Sequence, residues 1–249
     1  MRGLLRVPVA RVEEGPSLLD EDASRYVARV HRKRVDDRVV LFDPDAVLEA
    51  DAVITAIDRS SVAVTVSAVR PASVRPKRRV TLLQAACKSD KLDGIVRDAT
   101  ELGVSRIVPV LAERSVGRPA DGRARRWRKI AIEAARQCGR GDAPAIASPM
   151  ELGEAVTLFA SGEGVVGFCL DPWAECQLGE KLVGLSPDVE IAFLVGPEGG
   201  LSPAEIEACT SAGLVPVSLG PLTLRAETVA AAVLGAVLVL GSSGSSGRA

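Results

Sequence analysis

Histidine is almost missing from this chain: His31 is the only one among 249 residues. Any metal centre or catalytic constellation built on several imidazoles is thereby excluded, and no metal site is expected. The five cysteines (Cys87, Cys138, Cys169, Cys176, Cys209) are odd in number, scattered, and form no Cys-x-x-Cys pair. They read as reduced, mostly buried small residues, not as a disulfide frame or a zinc site. No apolar run reaches the roughly 18 residues of a membrane span. The opening Met1-Arg-Gly-Leu-Leu-Arg-Val-Pro8 lacks the apolar core of a secretory signal, so a cytoplasmic protein is expected. Gly-Lys-Ser/Thr is missing too, and the glycine loop at 196–200 is not Gly-x-Gly-x-x-Gly, which argues against a nucleotide-dependent enzyme on a doubly wound fold.

What is there is enough apolar material, 47% of residues, for one large domain or two modest ones. The net charge of −1 hides a division. Residues 1–140 hold 28 Lys/Arg against 19 Asp/Glu, and residues 141–249 hold 3 against 13. A basic front half is what a polyphosphate partner needs, although a solvated Arg-rich surface reads the same way.

Residues 1–72 are predicted to form a small β-barrel-like domain. Short β-branched runs at 38–42, 46–57 and 61–69 are separated by Asp43-Pro-Asp45 and Asp58-Arg-Ser-Ser61, with one short helix near 24–32. The stretch 70–79, with two prolines and five cations, is the expected linker. From 78 to 240 the pattern alternates. Strands are expected at 80–86, 106–111, 164–170, 189–195 and 215–219, and helices at 91–102, 124–138, 204–212 and 227–240. Continuous apolar strands interleaved with helices predict an α/β domain on a mostly parallel sheet covered on both faces. Residues 241–249, Gly- and Ser-rich, read as a flexible tail.

Four stretches carry candidate chemistry. In Gly196-Pro-Glu-Gly-Gly-Leu-Ser-Pro-Ala-Glu205, three glycines follow the most apolar strand. Ser202, Pro203 and Glu205 then spell a capping box with proline at the first helical position. The loop is either a well-capped turn or a place where a ligand approaches bare backbone, and Glu198 in it suits a cationic ligand better than a phosphate. Ser218-Leu-Gly-Pro-Leu-Thr-Leu-Arg-Ala-Glu-Thr228 repeats the arrangement, with Arg225 and Glu227 straddling a helix start. In 88–103 the apolar positions 92, 95, 96, 99 and 102 have helical spacing, with Lys88, Lys91 and Arg97 on the polar side. From Arg114 to Arg140 there are nine cations against two acids. The densest cluster is Arg125, Arg126, Arg128 and Lys129 around Trp127, which fits either phosphate and base contact or a solvated helix face with Trp127 in the core.

Taken in order, these pieces resemble the RsmE family, bacterial 16S rRNA uridine-N3 methyltransferases of the SPOUT class. The matching residues are His31 with Arg34 and Leu41-Phe42-Asp43; Lys88 to Glu101-Leu-Gly103; Ile107-Val-Pro109 and Glu113-Arg-Ser115; Arg128-Lys-Ile130; Gln137-Cys-Gly-Arg140 with Pro144; Gly196-Pro-Glu-Gly-Gly200; and Leu219-Gly220, Leu224-Arg225 and Glu227-Thr228. The chain departs from the family at Arg136, where an acid is usual, and at Leu222, where arginine is usual. Its Lys88-Ser-Asp-Lys91 lacks the common glycine.

The resemblance implies a PUA-like RNA-binding domain, then a trefoil-knotted SPOUT domain, a homodimer, and 16S rRNA of the small ribosomal subunit as partner. S-adenosyl-L-methionine is the implied cofactor, held by Leu194, Gly196, Glu198, Gly199, Gly200, Ser218, Leu219, Gly220, Leu224 and Thr228. Arg225 and Glu227 are the catalytic candidates, for charge stabilisation and for base or cofactor orientation. His31, Arg34, Lys88, Lys91, Arg114, Arg125, Arg126, Arg128 and Arg140 are the RNA-binding candidates. The expected product is the N3-methyluridine of the decoding region. A SPOUT enzyme for another rRNA base and a non-catalytic RNA-binding assembly factor are the competing readings.

Overall fold

The computed structural model describes residues 4–87, 89–117, 122–160 and 162–242. It divides into two compact units, Met1–Arg75 with Ile132–Ala143, and Pro76–Ala131 with Pro144–Ala249.

The first unit contains β1 (Leu5–Pro8), β2 (Gly15–Leu18), α1 (Glu21–Arg25), a π-helical turn over Tyr26–Val30, β3 (Arg38–Asp43), β4 (Leu48–Ile57), β5 (Val62–Val66) and β6 (Arg70–Pro71). The sheet runs β1-β3-β4-β5-β2, with β6 on β4. Only β1 on β3 is parallel; the remaining pairs are antiparallel. Alternation puts Ala50, Ala52 and Ile54 of β4 and Val62, Val64 and Val66 of β5 into one core with Val7, Val27 and Leu41. Asp20 caps α1 by accepting from Ala23 N at 2.7 Å. The sequence pattern had one helix where α1 and the π turn stand, and it missed β1 and β2. Each is only four residues long, and together they contain Pro8, Gly15 and Pro16.

The second unit is built on β7 (Val80–Ala85), α2 (Ser89–Glu101), β8 (Arg106–Leu111), α3 (Arg123–Cys138, divided between the units), β9 (Ala145–Ile146), β10 (Met150–Glu151), α4 (Leu152–Phe159), β11 (Val165–Leu170), α5 (Leu178–Leu182), β12 (Glu190–Val195), α6 (Pro203–Ser211), β13 (Val215–Val217) and α7 (Ala226–Ser242). Its sheet is parallel throughout, in the order β10-β8-β7-β12-β11-β13 with β9 on β8.

Successive residues of β12 face opposite sides. Ile191, Phe193 and Val195 join a core with Leu92, Ile95, Trp127, Val233 and Leu234; Ala192 and Leu194 join another with Ala155, Val156, Leu201 and Cys209. The sheet is thus covered on both faces, which is why β7 and β12 read as unbroken apolar runs. Phe168 and Phe193 stack across β11 and β12 with centroids 5.7 Å apart. Burying a side chain of this kind contributes about 1.5–3 kcal/mol.

The order of strands positions the site. β12 fills the place between β7 and β11, and β13 then lies beyond β11. Chain direction across the sheet therefore reverses at β11 and β12, and ligands of open parallel sheets bind outside the strand C-termini at such a reversal.

Candidate active site

A pocket of about 430 Å³ opens at the C-terminal ends of β11, β12 and β13. Three loops line it: Leu170–Trp173 after β11, Val195–Gly200 after β12, and Val217–Leu219 with Leu222–Ala226 after β13, together with Val229. Both glycine loops singled out in the sequence therefore meet at one cavity, a volume typical of a small-ligand site.

The β12 loop is shaped by what its glycines lack. A Cβ on Gly196 would come within 3.1 Å of Leu201 Cγ and 3.3 Å of Leu201 N, and Gly200 has φ +71°, so larger residues would displace or strain the turn. The capping box is present: Glu205 N donates to Ser202 Oγ at 3.3 Å and Ser202 N donates to Glu205 Oε2 at 2.8 Å. The other carboxylate oxygen of Glu205 accepts from Glu113 N at 2.8 Å, and Arg114 donates to Gly199 O at 3.0 Å. The segment after β8 is thus fastened to the glycine loop.

The β13 loop is fastened differently. Ser218 N donates to Cys176 O at 2.9 Å, Leu178 N to Ser218 O at 2.9 Å, and Asp171 N to Val217 O at 3.0 Å. These bonds make the segment after β11 a third wall. Sequence reasoning missed that wall. Its only signal was Asp171-Pro172 directly after an apolar strand, a turn dipeptide without glycine.

Among the described residues lining the pocket, Arg225 is the one cation, against Asp171 and Glu198. Leu194 is fully buried in β12 behind the loop. Glu198, Gly199, Gly200, Ser218, Leu219 and Leu224 line the cavity with Gly196; Gly220, Glu227 and Thr228 lie next to lining residues but are not part of the wall. Glu227 instead faces α2, where Lys91 Nζ lies 3.5 Å from its Oε1 and 3.0 Å from Glu198 Oε1. The second Glu227 oxygen is buried without a hydrogen-bond partner. Cys87, at the end of β7, is pushed up to about 11 by burial and by the neighbouring Glu198.

The expected RNA-binding residues separate. Lys91 and Arg114 sit at the pocket loops, as described. Lys88 lies outside the described residues. In α3, Arg125 and Arg126 are both exposed, Arg126 with an ion pair to Asp93 at 2.6 Å, and half-buried Arg128 donates to Pro144 O at 3.3 Å. Trp127 is 1% exposed and donates Nε1–H to Asp93 Oδ1 at 3.0 Å, so it is a core residue with a satisfied polar edge. In the first unit Arg140 is 4% exposed in a two-bond pair with Asp142, at 2.8 and 3.0 Å. His31 and Arg34 are exposed there. The His31 ring meets Tyr26 edge-on at 4.4 Å, and Arg136 lies 3.8 Å over the same Tyr26 ring.

Comparison with known proteins agrees with this geometry. An RNA methyltransferase domain family matches residues 74–238, and an RNA methyltransferase PUA domain family matches residues 19–67. The ribosomal RNA small subunit methyltransferase E of Mycobacterium tuberculosis is 34% identical over 237 residues, covering 91% of this chain and 87% of that protein. This chain belongs to the ribosomal RNA small subunit methyltransferase E family. The Synechocystis member is 36% identical over 162 residues, 64% of this chain and 54% of its own length. The crystal structure of the Neisseria gonorrhoeae methyltransferase E bound to S-adenosyl methionine superposes with a TM-score of 0.87 at 27% identity, covering 96% of this chain and 98% of that one. A Legionella pneumophila chain solved with bound SAM gives 0.84, also at 27%. An N-terminal PUA domain followed by a SPOUT-like methyltransferase domain on a parallel sheet is therefore the architecture of this family member.

Proposed function

We propose that this chain transfers a methyl group from S-adenosyl-L-methionine to N3 of a specific uridine in 16S rRNA, acting on the small ribosomal subunit as a cytoplasmic homodimer. The observation that carries the reading is the meeting of two glycine loops, from the parallel strands on either side of β11, around a cavity that also contains Arg225.

The residues present fit the cofactor. Gly196, Gly199 and Gly200 leave backbone bare, Leu170, Val195, Leu219 and Leu224 supply apolar walls, and two acids against one cation suit a positively charged ligand. When bound, S-adenosyl-L-methionine supplies an electrophilic methyl on a sulfonium. The chain must then hold N3 in line and make it nucleophilic. N3 carries a proton and is a weak nucleophile until that proton passes to solvent, one proton being released for each methyl transferred. In this reading Arg225, which lines the cavity, orients the base and stabilises the charge that appears on the uridine oxygens. Glu227 and Glu198, sharing Lys91, shape the cofactor side. N3 lies on the pairing edge, so the target uridine is unpaired or flipped when bound. Exposed Arg125 and the exposed His31 and Arg34 offer RNA contacts. The exposed Leu238, Val239 and Leu240 of α7 support a second copy as partner.

The test is transfer of labelled methyl to 30S subunits and to naked 16S RNA from a strain lacking the enzyme, with the product mapped by mass spectrometry. Methyl on a different base overturns the assignment of substrate. Failure to bind S-adenosylhomocysteine in calorimetry overturns the enzyme reading in favour of an assembly factor. Arg225→Ala is expected to lower turnover by about a hundredfold at saturating cofactor and RNA; near-normal turnover would remove Arg225 from its role.

A further inference from the structure

Trp173 has the most exposed large apolar side chain of the described residues, at 85%, and it lines the same pocket as Arg225. A single exposed apolar residue is ordinary. Here, however, a second one, Leu222 at 72%, lines that pocket too, and it comes from the loop of a different strand.

Trp173 is also carried on anchored backbone. Its N–H donates to Asp171 Oδ1 at 3.1 Å, and Ala174 N donates to Asp171 O at 3.1 Å. Asp171 is bonded to Val217, and Cys176 and Leu178 are bonded to Ser218, so the segment is held to β13 on both sides of the ring. The other tryptophan, Trp127, is packed in the core. An indole offered this way presents its π-surface to a pocket that a guanidinium and a second exposed apolar side chain also line. The chemistry that matches is a flat heteroaromatic ring with a polar edge, a nucleobase. Bases taken out of their stack regain stacking on such side chains.

We propose that Trp173, flanked by Leu222, is the platform on which the target base of the RNA stacks while Arg225 reads its oxygens. The inference rests on the methyl-transfer reading of this pocket. It assigns Trp173 to the RNA and not to the cofactor, for a geometric reason. A ligand seated against the backbones of Gly196, Gly199 and Gly200 is met by a different loop from the one that carries Trp173, and a ring 85% exposed has its surface free for the second substrate.

The two tryptophans make the test direct, because an aqueous quencher reaches Trp173 and not Trp127. Iodide quenching of the full-length protein is measured alone, with S-adenosylhomocysteine, and with S-adenosylhomocysteine plus a short single-stranded oligouridylate. Quenching is expected to persist with S-adenosylhomocysteine and to fall when the oligonucleotide is added. Trp173→Ala is expected to raise the KM for 30S subunits about tenfold with S-adenosylhomocysteine affinity within twofold, and Trp173→Phe to restore most of it. Masking of Trp173 by S-adenosylhomocysteine alone, or an unchanged KM in Trp173→Ala, overturns the platform and leaves the methyltransferase reading standing. Absence of S-adenosylhomocysteine binding by the unmodified protein overturns both.

Discussion

Lys91 Nζ lies 3.0 Å from Glu198 Oε1, and the same ammonium reaches Glu227, so one residue of α2 ties the loop after β12 to the start of α7. These are the two segments that carry the glycine loops. All three side chains are about one-third exposed, so the ties are solvent-screened and individually modest. Together they fix the spacing of two cavity walls. Lys91→Met is expected to weaken S-adenosylhomocysteine binding roughly fivefold in calorimetry and to leave RNA affinity and its salt dependence unchanged. A change confined to RNA affinity would make Lys91 a phosphate contact instead. The hydrogen bond to Glu198 holds the Lys91 ammonium above its ordinary value. A raised value means the tie is whole below the normal lysine range and is lost only as pH rises through the raised value, so cofactor affinity owes no pH dependence to it near neutrality.

The basic start of α3 combines a core tryptophan with surface cations, and the two kinds of variant should behave differently. Trp127→Ala removes a buried ring and leaves Asp93 without its Nε1–H donor, costing about 3–5 kcal/mol and lowering Tm by about 10 °C in a thermal melt. Arg125→Ala, on an exposed side chain, is expected to keep Tm unchanged and to weaken RNA binding while reducing the salt slope by about one. If Arg125→Ala binds RNA with the original slope, this end of α3 is not part of the interface.

Thiol chemistry separates an exposed cysteine from one buried near Glu198. Cys138 is exposed, while Cys87 is 4% exposed and raised to about 11 by burial and then by Glu198. A thiol-specific reagent at pH 8 is expected to modify Cys138 rapidly and Cys87 only on unfolding, as read by peptide mass spectrometry. Because the folded-state value is raised from 9.0, the contribution of Cys87 to stability is complete below about pH 9 and is lost as pH climbs toward 11. Cys87→Ser should change stability equally at pH 7 and 8.

Long elements were legible because burial on one stripe or on both faces writes a period into the sequence. The α2 positions 92, 95, 96 and 99 are all buried, and the apolar run of β12 sits in the middle of the sheet. Short elements were not. Two-residue β9 and β10 have no period to show, α4 starts without a side-chain cap, and α5 is five residues long with Gly179 inside it. The two glycine loops announced themselves through glycine and capping chemistry. The third wall did not, because Trp173 acquires its meaning only from the strand order that places the end of β11 between the ends of β12 and β13. Charge was legible in amount and not in placement: Arg126 and Arg140 look alike in the sequence, yet Arg126 is a 65% exposed surface cation and Arg140 a 4% exposed one, each beside an aspartate.

That strand order also sets when the site can exist. Its walls run from Leu170 to Val229, and β12, which carries the first glycine loop, must enter between β7, about a hundred residues earlier, and β11. Contacts so distant along the chain form late in folding. A nascent polypeptide emerging from the ribosome therefore has every residue of its first unit, through Ala143, long before Val229 completes the walls of the cavity.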